Sequence, residues 1–324
     1  MPATFSLASE YKGRAPVHED IPAIIALMHA HDVAEAGGGE MEEESSILAS
    51  WEKLNLETDA WLITTTEGFV CGYATLTVED AGRILADGYV HPEHYGRGIG
   101  TAIISFTESR ARELIADQPE DIRLVLVNNI VANNEPAINL LESSHYSLTR
   151  VFFRMAIMME TSPTLSAFPE GITIRMSDGS PEEIRYAYDT IEEGFRDHWG
   201  HAPQDYDEWR KHMVTETFDP TLWFFAEDGN RIVGAALCRE REEGDGWIAR
   251  LAVLRSWRKR GLGIALLTNA FHAFYQHGIK RVGLAVDGQS LTGAQRLYER
   301  AGMSVTMRIG RYEKELRPGK DLLP

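Results

Sequence analysis

The chain repeats itself. Tyr95-Gly-Arg-Gly-Ile-Gly100 returns as Arg258-Lys-Arg-Gly-Leu-Gly263, and Ala137-Ile-Asn-Leu-Leu-Glu142 returns as Ala294-Gln-Arg-Leu-Tyr-Glu299. Val70-Cys-Gly-Tyr73 and Ile232-Val-Gly-Ala235 precede these pairs, and Ser147-Leu-Thr-Arg150 and Ser304-Val-Thr-Met307 follow them. Arg154 and Arg311 then fall in register. Every pair is offset by roughly 160 residues in the same order, which marks an internal duplication. Whatever fold the chain adopts must therefore be adopted twice. A length of 324 residues suits two domain cores.

The boundary follows from local composition. Residues 161–171 hold Pro163, Pro169 and Gly171 between strand-like segments and read as a linker. The expected domains are residues 1–160 and 172–324. Each shows the same order of periodicities. Helical spacing comes early (21–30 and 181–194). Three strand-like runs follow, at 61–66, 70–78 and 84–90, then at 222–226, 232–239 and 247–253. A long helix is predicted over 98–117 and 261–277. A short apolar strand (124–127 and 282–286) precedes a last helix, and a final strand closes each half. This is an α/β (α+β) domain with a mixed sheet, in two tandem copies.

Composition removes some functions. A net charge of −17 argues against nucleic acid, because phosphate binding needs a basic face. It is compatible with a cationic acceptor. No apolar run approaches the roughly 18 residues of a membrane span. The N-terminus lacks a basic-then-apolar export pattern, so the expectation is a cytoplasmic protein that no membrane anchors. Cys71 and Cys238 lie in apolar strand-like runs and read as buried free thiols, with no metal site indicated.

The glycine turns narrow the chemistry. Leu251-Ala252-Val253 ends a strand, runs through Arg258-Lys-Arg-Gly-Leu-Gly263 and enters an apolar helix. Glycines there let backbone N–H groups converge on a ligand, and the helix N-terminus adds partial positive charge suited to a pyrophosphate. Arg258 and Lys259 add formal charge. A tight packing turn with solvated basic residues is the plainer alternative. The turn lacks the Lys-Ser/Thr of a Walker loop and the third small residue of a dinucleotide fingerprint, where Leu266 stands, so ATP and NAD fit poorly.

Arg258-Lys-Arg-Gly-Leu-Gly263 resembles the Arg/Gln-x-x-Gly-x-Gly/Ala signature of the GNAT acetyltransferases. Val286-Asp-Gly-Gln-Ser-Leu-Thr-Gly-Ala294 and Leu297-Tyr-Glu-Arg-Ala-Gly302 resemble that family's fifth strand and fourth helix. The likeness covers nearly the whole chain, twice. It implies acetyl-CoA as cosubstrate, an amine acceptor and N-acetyl transfer. Pantetheine would lie along Leu251, Ala252 and Val253 between two splayed strands. The phosphates would sit on Lys259, Arg260, Gly261, Leu262, Gly263 and Ile264, with Arg258 beside them. Ser290 replaces an asparagine common after the fifth strand, whereas the first half keeps Asn133 there. Gly98 and Gly100 survive in the first half, but Tyr95 stands where Arg or Gln is expected.

Acyl transfer to a lysine-like amine needs a base, because only about one molecule in a few thousand is neutral at pH 7. It also needs an oxyanion donor and an acid for the thiolate. Tyr298 falls where the family's general-acid tyrosine lies; a core aromatic is its other reading. The equivalent Leu141 has no proton to give, so the second half is the expected catalyst. The tandem layout with a weaker first half resembles the mycothiol synthases, but Trp247 occupies the position of their strand glutamate. Glu240 is the choice of base from the acidic hairpin of Glu240, Glu242, Glu243 and Asp245, which otherwise reads as solvated. Phe195, Asp197, His198 and Trp199 are expected to wall the acceptor pocket. The equivalent residues 37–44 offer no aromatic anchor. Acetylation of a small primary amine, mycothiol-synthase-like acetylation of an amino-thiol conjugate, and a non-catalytic acyl-CoA sensor or scaffold all stay open.

Overall fold

The computed structural model describes residues 7–36, 41–241, 244–290 and 292–322. The first half runs β1 (Tyr11–Arg14), α1 (Ile21–Ala36), α2 (Glu44–Trp51), α3 (Leu56–Asp59), β2 (Ala60–Thr65), β3 (Val70–Glu79) and β4 (Arg83–Val90). It continues with α4 (Ile99–Leu114), β5 (Leu124–Val131), α5 (Glu135–Ser143) and β6 (Ser147–Met158). The second half runs β7 (Ile172–Met176), α6 (Pro181–Phe195), α7 (Tyr206–Met213), β8 (Trp223–Asp228), β9 (Arg231–Glu240) and β10 (Gly246–Val253). It ends with α8 (Leu262–Gln276), β11 (Arg281–Asp287), α9 (Ala294–Arg300) and β12 (Ser304–Arg317). The short β1 and β7 carry no alternation strong enough to read in advance; β1 buries only Tyr11.

The described chain divides into two compact units. Unit 1 holds the residues up to Val151 together with Ile309–Leu322, and unit 2 holds Phe152–Arg308. Each sequence half thus lends the end of its last strand to the other unit. In unit 1, β12 pairs antiparallel with β5 from Ile309↔Val131 to Arg317↔Leu124. In unit 2, β6 pairs antiparallel with β11 from Phe152↔Asp287 to Met158↔Arg281. A strand closing its own half was the expectation from sequence. Pairing partners of a terminal strand depend on the whole sheet, which no local pattern encodes.

Each unit is a mixed sheet with helices on both faces. In unit 2 the strand period of two sends Phe225 and Phe224 to opposite sides. Phe225, Leu237 and Ala252 pack with Ile184, Ile191 and Trp209 of α6 and α7. Phe224, Ala236 and Ile248 pack with Leu266, Phe271 and Phe274 of α8. Fully burying each such side chain contributes roughly 1.5–3 kcal/mol. Unit 1 repeats the plan, with Ile24, Leu27 and Trp51 on one face and Ile104, Ala111 and Leu141 on the other. Cys71 and Cys238 are buried and unbridged, and burial pushes the Cys71 thiol up to about 11. Among the described residues no helix is long and apolar enough to cross a membrane.

Candidate active site

The glycine turn has the same backbone in both units. Lys259 and Gly261 take φ of 62° and 93°, and Gly96 and Gly98 take 74° and 81°. Only these left-handed residues let the chain turn from strand into helix with its amides converging. Gly261 and Gly98 have open space where a Cβ would stand, so their glycine is required by dihedral, not by crowding. Gly263 and Gly100 serve differently. A Cβ on Gly263 would lie 3.1 Å from Leu297, and one on Gly100 3.0 Å from Leu140, so these glycines let α9 and α5 close on the helix.

The first helical bonds of α8 and α4 are made by Ala265 to the Gly261 carbonyl (3.1 Å) and by Ala102 to that of Gly98 (3.0 Å). Among the described residues, no backbone N–H of 259–264 or of 96–101 donates to a protein acceptor. Six consecutive unpaired donors at a helix N-terminus make a cradle whose chemistry suits an anion. The solvent-exposed side chains of Lys259 and Arg260 stand beside it.

Arg258 does something other than the sequence suggested. Its guanidinium donates to the Val253 carbonyl at 2.9 Å and to the Gly194 carbonyl at 2.8 Å. It therefore ties the end of β10 to the end of α6. Its own amide is taken by the Arg255 carbonyl, so it positions the turn and leaves the amides beyond it to bind. In unit 1 Tyr95 cannot make this tie. His31 of α1 supplies it, with Nδ1 3.2 Å from the Val90 carbonyl.

A cleft opens beside the turn. Parallel β10 and β11 pair only at Gly246↔Val282 and Trp247↔Gly283, then part. The β9–β10 ladder breaks in the same place: Ile248 pairs with Cys238 and Arg250 with Leu237, so Ala249 is a bulge. A bulged residue leaves its N–H outside the ladder, available to an oxyanion. Leu251 and Val253 are half-buried along the cleft, while the Ala252 side chain belongs to the core against Gly194. In unit 1, β4 and β5 also part, after Leu85↔Val127, but β3–β4 runs from Gly72↔Val90 to Glu79↔Arg83 without a break.

Tyr298 is buried on α9, between α8 and β11. Burial pushes its phenol up to about 12, so it is protonated at neutral pH and able to donate. Leu141 takes the equivalent buried place in unit 1. Glu240 is not brought to the acceptor side. It is exposed and pairs with Gly246, whose face packs on Phe274 of α8. The period of two points its carboxylate away from α6, a parity that the hairpin sequence does not disclose. Glu242 and Glu243 lie outside the described residues, as do residues 37–40.

The acceptor loop after α6 is assembled, with its parts in changed roles. Asp197 forms ion pairs with Arg255 (2.9 Å) and Arg258 (3.5 Å), so its carboxylate is already matched by two cations. Phe195 packs into the core and lies 4.4 Å from the His198 ring. Trp199 lies 6.4 Å from Phe152 of β6. His198 is half-buried and feels both Arg258, near the end of β10, and Asp287, at the end of β11. Burial first, then Arg258, holds its imidazole below the ordinary range, which keeps it neutral near pH 7. Ser290 lies on the turn after β11 with its hydroxyl 2.9 Å from Thr292. Asn133 donates to the Glu35 carbonyl at 2.5 Å, and Asn134 to the Glu35 carboxylate.

This geometry has a match among known proteins. The profile of the acetyltransferase (GNAT) family fits residues 27–146 and again residues 184–303. The chain belongs to the acetyltransferase (GNAT) family. It is accordingly an acyltransferase, of a family that uses acetyl-CoA. A GCN5-related N-acetyltransferase of Sphaerobacter thermophilus superposes with a TM-score of 0.85 at 35% identity, covering 98% of this chain and 99% of that one. A tandem GNAT protein from the clavulanic acid biosynthesis pathway shares the fold, with a TM-score of 0.70 at 15% identity over 96% of this chain and all of its own. The mycothiol acetyltransferase of Geodermatophilus obscurus is 26% identical over 294 residues, 88% of this chain and 91% of its own. That of Thermomonospora curvata is 26% identical over 245 residues, 75% of this chain and 78% of its own.

Proposed function

We propose that unit 2 transfers the acetyl group of acetyl-CoA to a primary amine of a small molecule. The observation that carries this reading is the parting of β10 and β11 at a bulge, directly upstream of six unpaired amides. The amides of 259–264 would hold the pyrophosphate, and Leu251 and Val253 would border the pantetheine arm. His198, neutral and on the acceptor loop, takes a proton from the acceptor's ammonium, and the neutral amine then forms the new N–C bond as the C–S bond breaks. The Ala249 N–H receives the charge that develops on the carbonyl oxygen. Tyr298 gives its proton to the departing thiolate. Unit 1 keeps an equivalent cradle but offers Leu141 in place of the acid, and is read as non-catalytic.

Calorimetric titration of acetyl-CoA into Gly261→Glu and Gly98→Glu variants tests the reading. A glutamate placed in either cradle opposes a pyrophosphate by charge and bulk. Loss of both turnover and unit 2 binding in Gly261→Glu alone is expected. Undiminished turnover in that variant sinks the assignment.

The relatives named mycothiol acetyltransferase favour a second reading, in which the acceptor is an amino-thiol conjugate. Trp247 in place of the strand glutamate weighs against it. An assay with the des-acetyl form of mycothiol separates the two.

A further inference from the structure

The acceptor side of unit 2 holds two arginines that no part of the proposed chemistry uses. Leu237 and Ala252 pack toward α6, so strand alternation sends Arg239 to that face as well. The Ala249 bulge shifts the parity of β10 by one residue and delivers Arg250 to the same side. Without the extra residue Arg250 would turn toward α8. Arg239 also lines a shallow cavity with Ala249, His212, Thr215, Asp219 and Trp223.

Three other arginines near this cleft are matched. Arg258 and Arg255 meet Asp197, and Arg281 meets Asp245. Among the described residues, neither Arg239 nor Arg250 forms an ion pair, and Arg250 donates only to the adjacent Ala249 carbonyl at 2.8 Å. The nearby acids are committed: Glu192 of α6 binds His201 at 3.1 Å, and Asp219 caps Thr221 at 2.8 Å. Burial and the proximity of Arg239 push the Arg250 guanidinium below its ordinary range. Both side chains are nonetheless solvent-exposed, and in a chain with 49 acidic and 32 basic residues two neighbouring cations without an acid partner form a local positive spot that attracts an anion. Unit 1 has the opposite sign at the equivalent place, Asp87.

We propose that the amine acceptor of unit 2 also carries an anionic group, a carboxylate or a phosphate, held by Arg250 and Arg239 at the bulged segment of β10. This rests on the acetyl transfer proposed above. A guanidinium fork suits either anion, and binding it there fixes the amine relative to the cleft. The phosphates of CoA are an insufficient explanation, because their cradle lies beyond the C-terminal end of β10. A neutral sugar-based amine would leave the two cations unmatched.

The test uses matched amines on the intact protein: α-amino acids against their α-carboxamides, and phosphoethanolamine against ethanolamine. Both kcat/KM and calorimetric affinity are measured for wild type, Arg250→Gln, Arg250→Lys and Arg239→Gln. In wild type at least one anionic amine should exceed its neutral partner by about 10- to 100-fold, the range of a charge-assisted pair. Arg250→Gln should collapse that preference through KM with kcat nearly kept, and Arg250→Lys should restore part of it. Whether carboxylated or phosphorylated amines respond identifies the anion. Equal use of neutral and anionic amines, or a preference untouched in Arg250→Gln, overturns the inference. So does a loss of acetyl-CoA affinity in Arg250→Gln that accounts for the whole effect. If anionic amines bind in an Arg250-dependent way and none is acetylated, the inference stands and the transferase reading of unit 2 fails.

Discussion

The two units share a cradle and differ in what surrounds it. Their turns take the same left-handed dihedrals, leave the same six amides unpaired, and begin the helix one residue after the same glycine. The turn keeps this form although Tyr95 stands against Arg258, because His31 in unit 1 reaches the strand-end carbonyl that Arg258 reaches in unit 2. Around the cradle almost every chemical group changes. Tyr298 stands against Leu141, Arg250 against Asp87, the Arg258 clamp against His31, and the bulged β10 against an unbroken β4. Binding geometry belongs to the backbone and is retained cheaply, whereas catalysis needs particular atoms. A fold can therefore hold two look-alike turns in unlike chemical surroundings.

The contrast breaks most sharply at the acid. Tyr298→Phe keeps the ring in the core and removes only the proton, so kcat should fall about 100-fold with acetyl-CoA affinity unchanged. Steady-state kinetics beside calorimetry check this, and full activity would mean that Tyr298 is only a packed aromatic. His198→Gln should lower kcat by roughly 10- to 100-fold and abolish the acidic limb of the pH profile. The wild-type limb should fall below the usual histidine range, because burial and Arg258 depress that imidazole. A limb that survives the substitution assigns the base elsewhere, with Glu192 and His201 the next groups to test.

The Arg258 clamp sharpens the comparison through stability. Arg258→Met should cost about 2 kcal/mol in denaturant unfolding, since two carbonyls lose a charged donor. An effect of similar size belongs to Asp87, whose carboxyl burial pushes up to about 6. Between about pH 4 and 6 the unfolded chain has already released a proton that folded Asp87 keeps, so stability declines as pH rises through that window. Asp87→Asn should remove this decline and stabilise unit 1 at pH 7 by on the order of 2 kcal/mol. Unfolding curves at pH 4 and pH 7 decide it.

Legibility followed how local each feature is. The turn, its helix and the tyrosine were readable because glycine dihedrals and a fixed spacing carry them. The roles of Arg258 and Asp197 were not, because each is set by a partner on another element: Gly194 for one, Arg255 and Arg258 for the other. Glu240 failed on parity alone, since a hairpin shows which residues are acidic but not which face they take. Arg239 and Arg250 gave no signal, because their nearness exists only through the register of β9 and β10.

The sequence by itself determined the duplication, the family likeness, the glycine turn and the difference between Tyr298 and Leu141. Each is a matter of residue identity at short range. Tertiary structure alone decided the exchange of terminal strands, the bulge at Ala249, and which charges meet and which remain unmatched. Those depend on pairing between segments far apart in the chain, where a one-residue shift sends every later side chain to the opposite face.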